Sequence, residues 1–316
     1  MLSEGDNGMK FATVATGGIG GYLAAKLASA GEDVATLARG AHLDAIRSKG
    51  LTLKANNTSV TVHPRIATED PNEIGPVDAV IFGVKAKDVE RAAKSCLPLL
   101  GPDTVVIPFL NGVETIDRLA TALPLDNIAN GTAGVSTTIT EPGVIGQVGA
   151  FSSFTFAERD GTQSPRIKAV RSAFLSAELN APVVDDIDVA LWRKFCVFAS
   201  MSGVTAAVRC TLGDIKGNPY LTQLFQAGIA ETAALGRAKG VALPDDVEAQ
   251  TWQLVSELPD TVRASTAIDL EAGRALEVDW ISGAVARLSE ISGLDAPVHR
   301  TLNAVLQLWK DGRPRP

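Results

Sequence analysis

The stretch FATVATGGIGG, residues 11–21, lies near the start of this chain of 316 residues and decides its fold. Residues 11–15 are mostly apolar or β-branched, which predicts a short buried strand, and residues 19–29 carry an apolar stripe at helical spacing. Between the two lies a glycine-rich turn. A strand, a turn of the form G-x-G-x-x-G and a helix make up the fingerprint of a dinucleotide-binding Rossmann fold.

Two glycines of this turn match positions with defined roles in the fingerprint. Gly17 matches the second glycine, which lets the backbone approach a pyrophosphate, and Gly20 matches the third, which lets the helix pack on the strand. With Gly18 and Ile19, they would place the helix N-terminus against the phosphates. Ala15 takes the place of the first glycine, and an alanine suits this position only if its φ is negative. A glycine-rich turn without a ligand is the alternative interpretation.

The first half of the chain alternates predicted strands and helices. Strands are predicted at 34–38, 79–84, 104–109, 128–140 and 144–156, helices at 41–49, 87–100 and 114–123, and a β-hairpin or small meander at 51–66. From residue 187 onward, helices are predicted at 187–207, 219–239, 245–258, 265–269, 279–292 and 298–311. The expected fold class is α/β, with a Rossmann-type, mostly parallel sheet over 9–184 and an all-helical domain over 185–316.

Composition excludes several classes of function. The net charge is -7 and no basic stretch occurs, which argues against a nucleic-acid partner. The three cysteines and three histidines form no ligand pattern, so no metal site is expected. The longest nearly apolar run, 195–208, is too short to span a bilayer, so no membrane partner is expected. The chain is predicted to be a soluble cytoplasmic protein, as a monomer or a homodimer.

Three polar residues follow predicted strands at the edge where open α/β sheets bind ligands. Arg39 ends the second strand, and no carboxylate lies between Val34 and His42. A cation at this position accommodates the 2′-phosphate of NADP, whereas an acid would bind the ribose of NAD. The alternative is a surface arginine. Lys85 and Asn111 follow later strands, and each can also be an ordinary loop residue.

Lys194 stands inside an apolar helical segment. Lysines in helices commonly extend to the surface, and that is one interpretation. The other is that Lys194 faces a cleft, where partial desolvation lowers its pKa and suits the ammonium to give a proton.

Six motifs in order make the chain resemble the ketopantoate reductase (2-dehydropantoate 2-reductase) family. They are GGIGGYLA at 17–24, LAR at 37–39, VKAKD at 84–88, FLNGVE at 109–114, LWRKF at 191–195 and ALEVDWISG at 275–283. The resemblance implies an NADPH-dependent oxidoreductase that reduces the ketone of a small 2-oxoacid, 2-dehydropantoate by default, to a hydroxyacid.

The resemblance also implies a role for individual residues. Lys194 matches the lysine that donates a proton to the substrate carbonyl oxygen, and Asn111 matches the asparagine at the cofactor–substrate junction. Glu277 matches the acid that binds the nicotinamide ribose. The remaining matches are Arg39 and Lys85 on the NADP phosphate side, and Ser265 on the substrate carboxylate.

Three positions depart from the family pattern, which has substrate-binding asparagines there. This chain has Phe198 and Ser202, one and two helical turns after Lys194, and Leu212 beyond them. Ser202 keeps a hydroxyl for the substrate, but Phe198 and Leu212 offer no hydrogen bond. A second hypothesis is therefore a related reductase or dehydrogenase for a bulkier, less polar oxo- or hydroxyacid. A third is a non-catalytic dinucleotide-sensing protein.

Overall fold

The computed structural model describes residues 8–55 and 57–312, which divide into two compact units. One unit contains residues up to Leu110 together with Thr115–Ile187, and the other contains Asn111–Glu114 together with the residues from Asp188 onward. All nine strands of the described residues lie in the first unit. They are β1 (Lys10–Val14), β2 (Asp33–Leu37), β3 (Leu51–Ala55), β4 (Thr58–Val62), β5 (Ile66–Thr68), β6 (Val77–Phe82), β7 (Leu100–Pro108), β8 (Ala129–Glu141) and β9 (Val144–Glu158).

Twelve α-helices occur in the described residues, most of them in the second unit. They are α1 (Gly18–Ser29), α2 (Gly40–Lys49), α3 (Val89–Cys96), α4 (Thr115–Leu119), α5 (Pro165–Ser176), α6 (Ile187–Val208), α7 (Leu212–Gly217), α8 (Pro219–Ala238), α9 (Val247–Glu257), α10 (Ser265–Glu271), α11 (Ser282–Ile291) and α12 (Pro297–Leu306).

The main sheet of the first unit is parallel throughout, in the order β5-β2-β1-β6-β7. This is the strand order of a Rossmann fold, in which the order of the strands reverses at β1, so that β2 lies on one side of β1 and β6 on the other. Successive residues of β1 enter opposite hydrophobic clusters, Phe11 on one face and Ala12 on the other. Both faces are therefore covered, and the predicted α/β class with a helical C-terminal region is confirmed.

A second, four-stranded sheet has the order β4-β3-β9-β8. The sequence predicted these strands but not that they form a sheet of their own. The sheet packs on α1, whose central residues are almost all buried, and this explains why α1 is apolar nearly all round. The sequence analysis predicted only a single apolar stripe along this helix.

Two helices escaped the sequence analysis. The helix α5 begins at Pro165, and the hydroxyl of Ser164 accepts a hydrogen bond from the backbone N–H of Ile167. The short helix α7 begins after Thr211, whose side chain forms a reciprocal capping box with Asp214. Both helices carry a capping residue at their start, Ser164 for α5 and Thr211 for α7, and such residues are sequence signals for a helix N-terminus.

Arg171 on α5 fixes the segment by which the chain leaves the first unit. Its guanidinium donates hydrogen bonds to the carbonyl oxygens of Ala181 and Pro182, at 2.6 and 2.7 Å, and to that of Phe156 at 2.8 Å. The side chain is buried and lies over the ring of Phe156, 4.8 Å from its centre. Arg171 thus supplies hydrogen-bond donors to three backbone carbonyl groups, two of them in the segment that leaves the first unit.

Candidate active site

In the glycine turn, there is free space beside the Cα of Gly17, whereas Gly18 and Gly20 are closely packed against other backbone atoms. A Cβ built on Gly17 would meet no atom within 4 Å, so a ligand can approach the backbone at this point. On Gly20 it would lie 2.3 Å from the carbonyl oxygen of Ala15, and on Gly18 it would lie 2.6 Å from that of Thr137. These contacts require glycine for close packing, whereas the open space at Gly17 fits a bound pyrophosphate.

Ala15 contradicts one expectation drawn from the sequence. Its φ is +65°, in the left-handed region, and not negative as an alanine was expected to require. This conformation costs an alanine about 1–2 kcal/mol relative to the ordinary helical region. The neighbouring Thr16 holds the turn in place, because its backbone N–H and its hydroxyl both donate to the carbonyl oxygen of Leu37, at 3.0 and 2.9 Å.

The predicted cations of the first unit lie just beyond the carboxyl ends of its strands. Arg39 follows β2 as the residue before α2, and Lys85 follows β6. The side chains of Arg39 and Lys85 are exposed. Ile19, which lies in the first turn of α1, is partly buried. Since β1, β2 and β6 are parallel neighbours, the glycine turn, Arg39 and Lys85 lie at one edge of the sheet.

Lys194 lies near the start of α6 and is partly buried. Its Nζ donates a hydrogen bond of 3.3 Å to Oδ1 of Asn111 and lies 5.8 Å from the centre of the Phe198 ring. Burial lowers the pKa of Lys194 from 10.5 to about 8, while the negative charge of Glu277 acts in the opposite direction. The second unit therefore brings together a cation with a lowered pKa, an amide oxygen and a carboxylate.

The segment that carries Asn111 belongs to the helical unit, although it lies shortly after β7, which ends at Pro108. Gly112 has a φ of +97°, and a Cβ there would lie 2.9 Å from the carbonyl oxygen of Trp280. Glu114 accepts two hydrogen bonds from Arg287, at 2.6 and 2.8 Å. These contacts hold the segment so that Asn111 lies beside Lys194. The sequence analysis placed Asn111 only after a strand and did not predict that it contacts Lys194.

The residues expected to bind substrate differ in their surroundings. Ser265 is exposed at the start of α10, and Phe198 is partly buried. Ser202 is only 2% exposed. Its hydroxyl lies 2.5 Å from that of Thr266, a partner that sequence reasoning missed. Leu212 is fully buried in the core of the helical unit, which corrects the expectation that it stands at a substrate-binding position.

Two searches of the described residues bear on other kinds of site. No group of three or more histidine, cysteine, aspartate or glutamate side chains there is arranged to hold a metal ion. None of the helices in that part of the chain combines the length and the apolar character that a bilayer-spanning segment needs.

Comparison with known proteins places the chain in a family. Residues 11–161 match the family described as ketopantoate reductase PanE/ApbA, and residues 186–310 match its C-terminal domain. A 2-dehydropantoate 2-reductase of Mesorhizobium japonicum is 30% identical over 95% of this chain and 96% of its own.

Solved structures agree on the fold. A PanE/ApbA family ketopantoate reductase from Ralstonia eutropha JMP134 is 27% identical, with a TM-score of 0.86 over 96% of this chain and 98% of its own. A D-mandelate dehydrogenase solved with NADH and anilino(oxo)acetate has the same TM-score, 0.86, over 96% of this chain and 98% of its own. At 22% identity, it shows the fold alone.

The fold and the matched regions define an oxidoreductase that acts on CH–OH or C=O groups and depends on a nicotinamide dinucleotide. The chain belongs to the ketopantoate reductase family.

Proposed function

We propose that this protein uses NADPH to reduce the ketone of a 2-oxoacid to a hydroxyacid, with Lys194 as the proton donor and 2-dehydropantoate as the default substrate. The observation that carries the proposal is Lys194 itself, whose pKa of about 8 leaves it charged but ready to give up a proton near neutral pH. Its hydrogen bond to Asn111, at 3.3 Å, holds the ammonium in place.

The residues of the first unit fit the dinucleotide. The open backbone at Gly17, with Gly18, Ile19 and Gly20, would hold the pyrophosphate at the N-terminus of α1. Arg39 and Lys85, exposed at the same edge of the sheet, would hold the 2′-phosphate, and this pair supports NADP over NAD. Asn111 and Glu277 would contact the nicotinamide end, as the family resemblance implies. The cofactor, when bound, supplies the hydride.

The helical unit would hold and protonate the substrate. Negative charge develops on the carbonyl oxygen as the ketone is reduced, and the ammonium of Lys194 stabilises that charge and then transfers one proton to the oxygen. The neutral amine that remains recovers its proton from solvent. Asn111 holds the ammonium of Lys194. Ser265 would bind the carboxylate of the substrate. Ser202 would also contact the substrate, together with Thr266, whose hydroxyl it now contacts.

A second candidate rests on Phe198. Its ring lies on the same face of α6 as Lys194, at the position where the family has an asparagine for the substrate. An aromatic ring there cannot pair with a substrate hydroxyl, and it favours an apolar substituent on the oxoacid. This supports a substrate less polar than 2-dehydropantoate with the same chemistry.

Two ketoacids that differ by one hydroxyl separate these candidates. The oxidation of NADPH is followed with 2-dehydropantoate, which is 4-hydroxy-3,3-dimethyl-2-oxobutanoate, and with 3,3-dimethyl-2-oxobutanoate, which lacks the hydroxyl. A value of kcat/KM at least about 100-fold higher for 2-dehydropantoate indicates a site that binds the hydroxyl and identifies the default substrate. A preference for the analogue favours the apolar candidate, and Phe198→Asn should then shift the ratio toward 2-dehydropantoate.

Lys194→Ala tests the proton donor in the same assay, and turnover should be lost. A variant that turns over as fast as the parent contradicts the role of Lys194. Binding of NADPH without turnover of any oxoacid contradicts the enzymatic proposal and favours a sensing protein.

A further inference from the structure

His42, near the start of α2, makes two hydrogen bonds to backbone groups of other segments. Its Nε2 lies 2.8 Å from the carbonyl oxygen of Thr16 in the glycine turn. Its Nδ1 accepts a hydrogen bond of 2.9 Å from the backbone N–H of Gly143, in the turn between β8 and β9. Because Nδ1 acts as the acceptor, the hydrogen of the neutral ring is on Nε2 and is donated to Thr16. One tautomer satisfies both contacts.

These bonds complete the fixation of Thr16. Its N–H and hydroxyl are bound to the carbonyl oxygen of Leu37, and its own carbonyl oxygen is bound to His42. The peptide unit from Thr16 to Gly17 is planar, so its C=O and N–H point in opposite directions. With the carbonyl oxygen directed at His42, the N–H of Gly17 points away from His42. Gly17 is also the residue with open space beside its Cα.

We propose that His42 is a positioning residue for the dinucleotide, because it fixes the Thr16–Gly17 peptide so that the Gly17 N–H faces the phosphates. The inference rests on the proposed function, in which residues 17–20 hold the pyrophosphate. It adds a residue outside the glycine fingerprint, contributed by the helix that follows the second strand.

The arrangement makes dinucleotide binding depend on the charge of His42. Protonation puts a hydrogen on Nδ1, which then faces the N–H of Gly143, and two donors cannot bond to each other. Burial lowers the pKa of His42 below its ordinary 6.5, and the bond to the Thr16 carbonyl acts in the opposite direction. His42 is therefore neutral and its contacts intact above pH 6.5, and affinity should fall as the pH decreases below that value.

Other charges near His42 are few. The β8–β9 turn contributes Glu141, whose carboxylate is paired with Lys54 at 3.4 Å, and the glycine turn contributes no titratable side chain. The charged residues of α2 and the residue before it are Arg39, Asp44, Arg47 and Lys49. None of them shares a hydrogen bond with the imidazole, which bonds only to backbone groups within the described residues.

The test is the affinity for NADP⁺, measured by isothermal titration calorimetry between about pH 5 and pH 8. The parent is compared with His42→Gln and His42→Leu. Glutamine keeps a donor and an acceptor but does not titrate, whereas leucine removes both bonds. His63→Gln is the matched control, because His63 is exposed in the same unit. The 2′-phosphate titrates near pH 6, and comparison among variants with one ligand cancels this contribution.

His42→Leu should weaken NADP⁺ binding by about 2- to 10-fold at neutral pH, as expected for a lost hydrogen bond. Binding to His42→Gln should depend less steeply on pH than binding to the parent, and His63→Gln should follow the parent. Nitrogen-15 NMR of the ligand-free protein, labelled at histidine, should show hydrogen on Nε2 of His42.

A His42→Gln profile that superimposes on that of the parent overturns the proposal, as does a His42→Leu variant of unchanged affinity. A ring with hydrogen on Nδ1 in the ligand-free protein also overturns it. In these cases the proposed function stands if the parent binds NADP⁺. A parent that binds neither NADP⁺ nor NAD⁺ overturns both proposals together.

Discussion

Replacing Lys194 by methionine should abolish turnover and, at the same time, stabilise the helical unit. Burial holds the pKa of Lys194 near 8 instead of 10.5, so the charged form is less favourable in the folded protein than in the unfolded chain. Each pKa unit corresponds to about 1.4 kcal/mol, which gives an upper limit of about 3 kcal/mol at neutral pH. Lost contacts to Asn111 and Phe198 reduce the gain, and we expect about 1–3 kcal/mol.

Because the pKa of Lys194 is lowered in the folded protein, the destabilisation that it causes depends on pH in a defined direction. A lysine with a lowered pKa destabilises the folded state fully below pH 8, where it is charged in both states, and not at all above 10.5, where it is neutral in both. The advantage of Lys194→Met over the parent should therefore shrink as the pH rises through this window.

Urea unfolding followed by tryptophan fluorescence measures this stability selectively. All four tryptophans, Trp192, Trp252, Trp280 and Trp309, belong to the helical unit. Lys239→Met serves as the control, because Lys239 is exposed in the same unit and should leave stability almost unchanged. A Lys194→Met variant that is less stable than the parent at neutral pH, or an advantage that does not decrease above pH 8, refutes the reasoning.

Three further changes have expected outcomes. Glu277→Gln removes a charge that raises the pKa of Lys194, so the pH above which reduction slows should move below about 8, and an unmoved profile would contradict this coupling. Arg171→Leu leaves three backbone carbonyl groups, two of them buried, without their donor and should lower the free energy of unfolding by about 3 kcal/mol, seen as a lower calorimetric midpoint. Ala15→Gly removes the strain of an alanine at a φ of +65° and should stabilise the first unit by about 0.5 kcal/mol in the same measurement. Ala41→Gly, in helix α2, is the control and should destabilise the unit by about 1 kcal/mol.

The Rossmann part of the fold was predictable because it depends on local patterns. The strand, turn and helix around Gly17 lie within a few residues of one another, and alternating strands and helices allow few topologies. The second sheet was not predictable in this way. Its parallel pairing of β3 with β9 joins Thr52 to Val144, and nothing in either segment specifies the other as its neighbour.

The chemical identity of the site residues was visible in the sequence, but their surroundings were not. A lysine in an apolar helix can extend to the surface or face a cleft as a proton donor. The hydrogen bond of Lys194 to Asn111 and its lowered pKa, neither of which the sequence contains, support the role of proton donor. The conformation of Ala15 and the core position of Leu212 are set by tertiary packing, which single-sequence reasoning does not contain. His42 carried no motif, because its role lies in the backbone groups that it contacts.

The most direct test of the central claim is the pH dependence of NADPH-driven reduction by the parent, with the oxoacid that the substrate comparison selects. If Lys194 is the proton donor, the rate should be level below a pH of about 8 and should decrease toward tenfold per pH unit above it. Lys194→Ala should show no turnover at any pH. A parent rate that stays constant through this range, or a Lys194→Ala variant that reproduces the parent profile, contradicts the account.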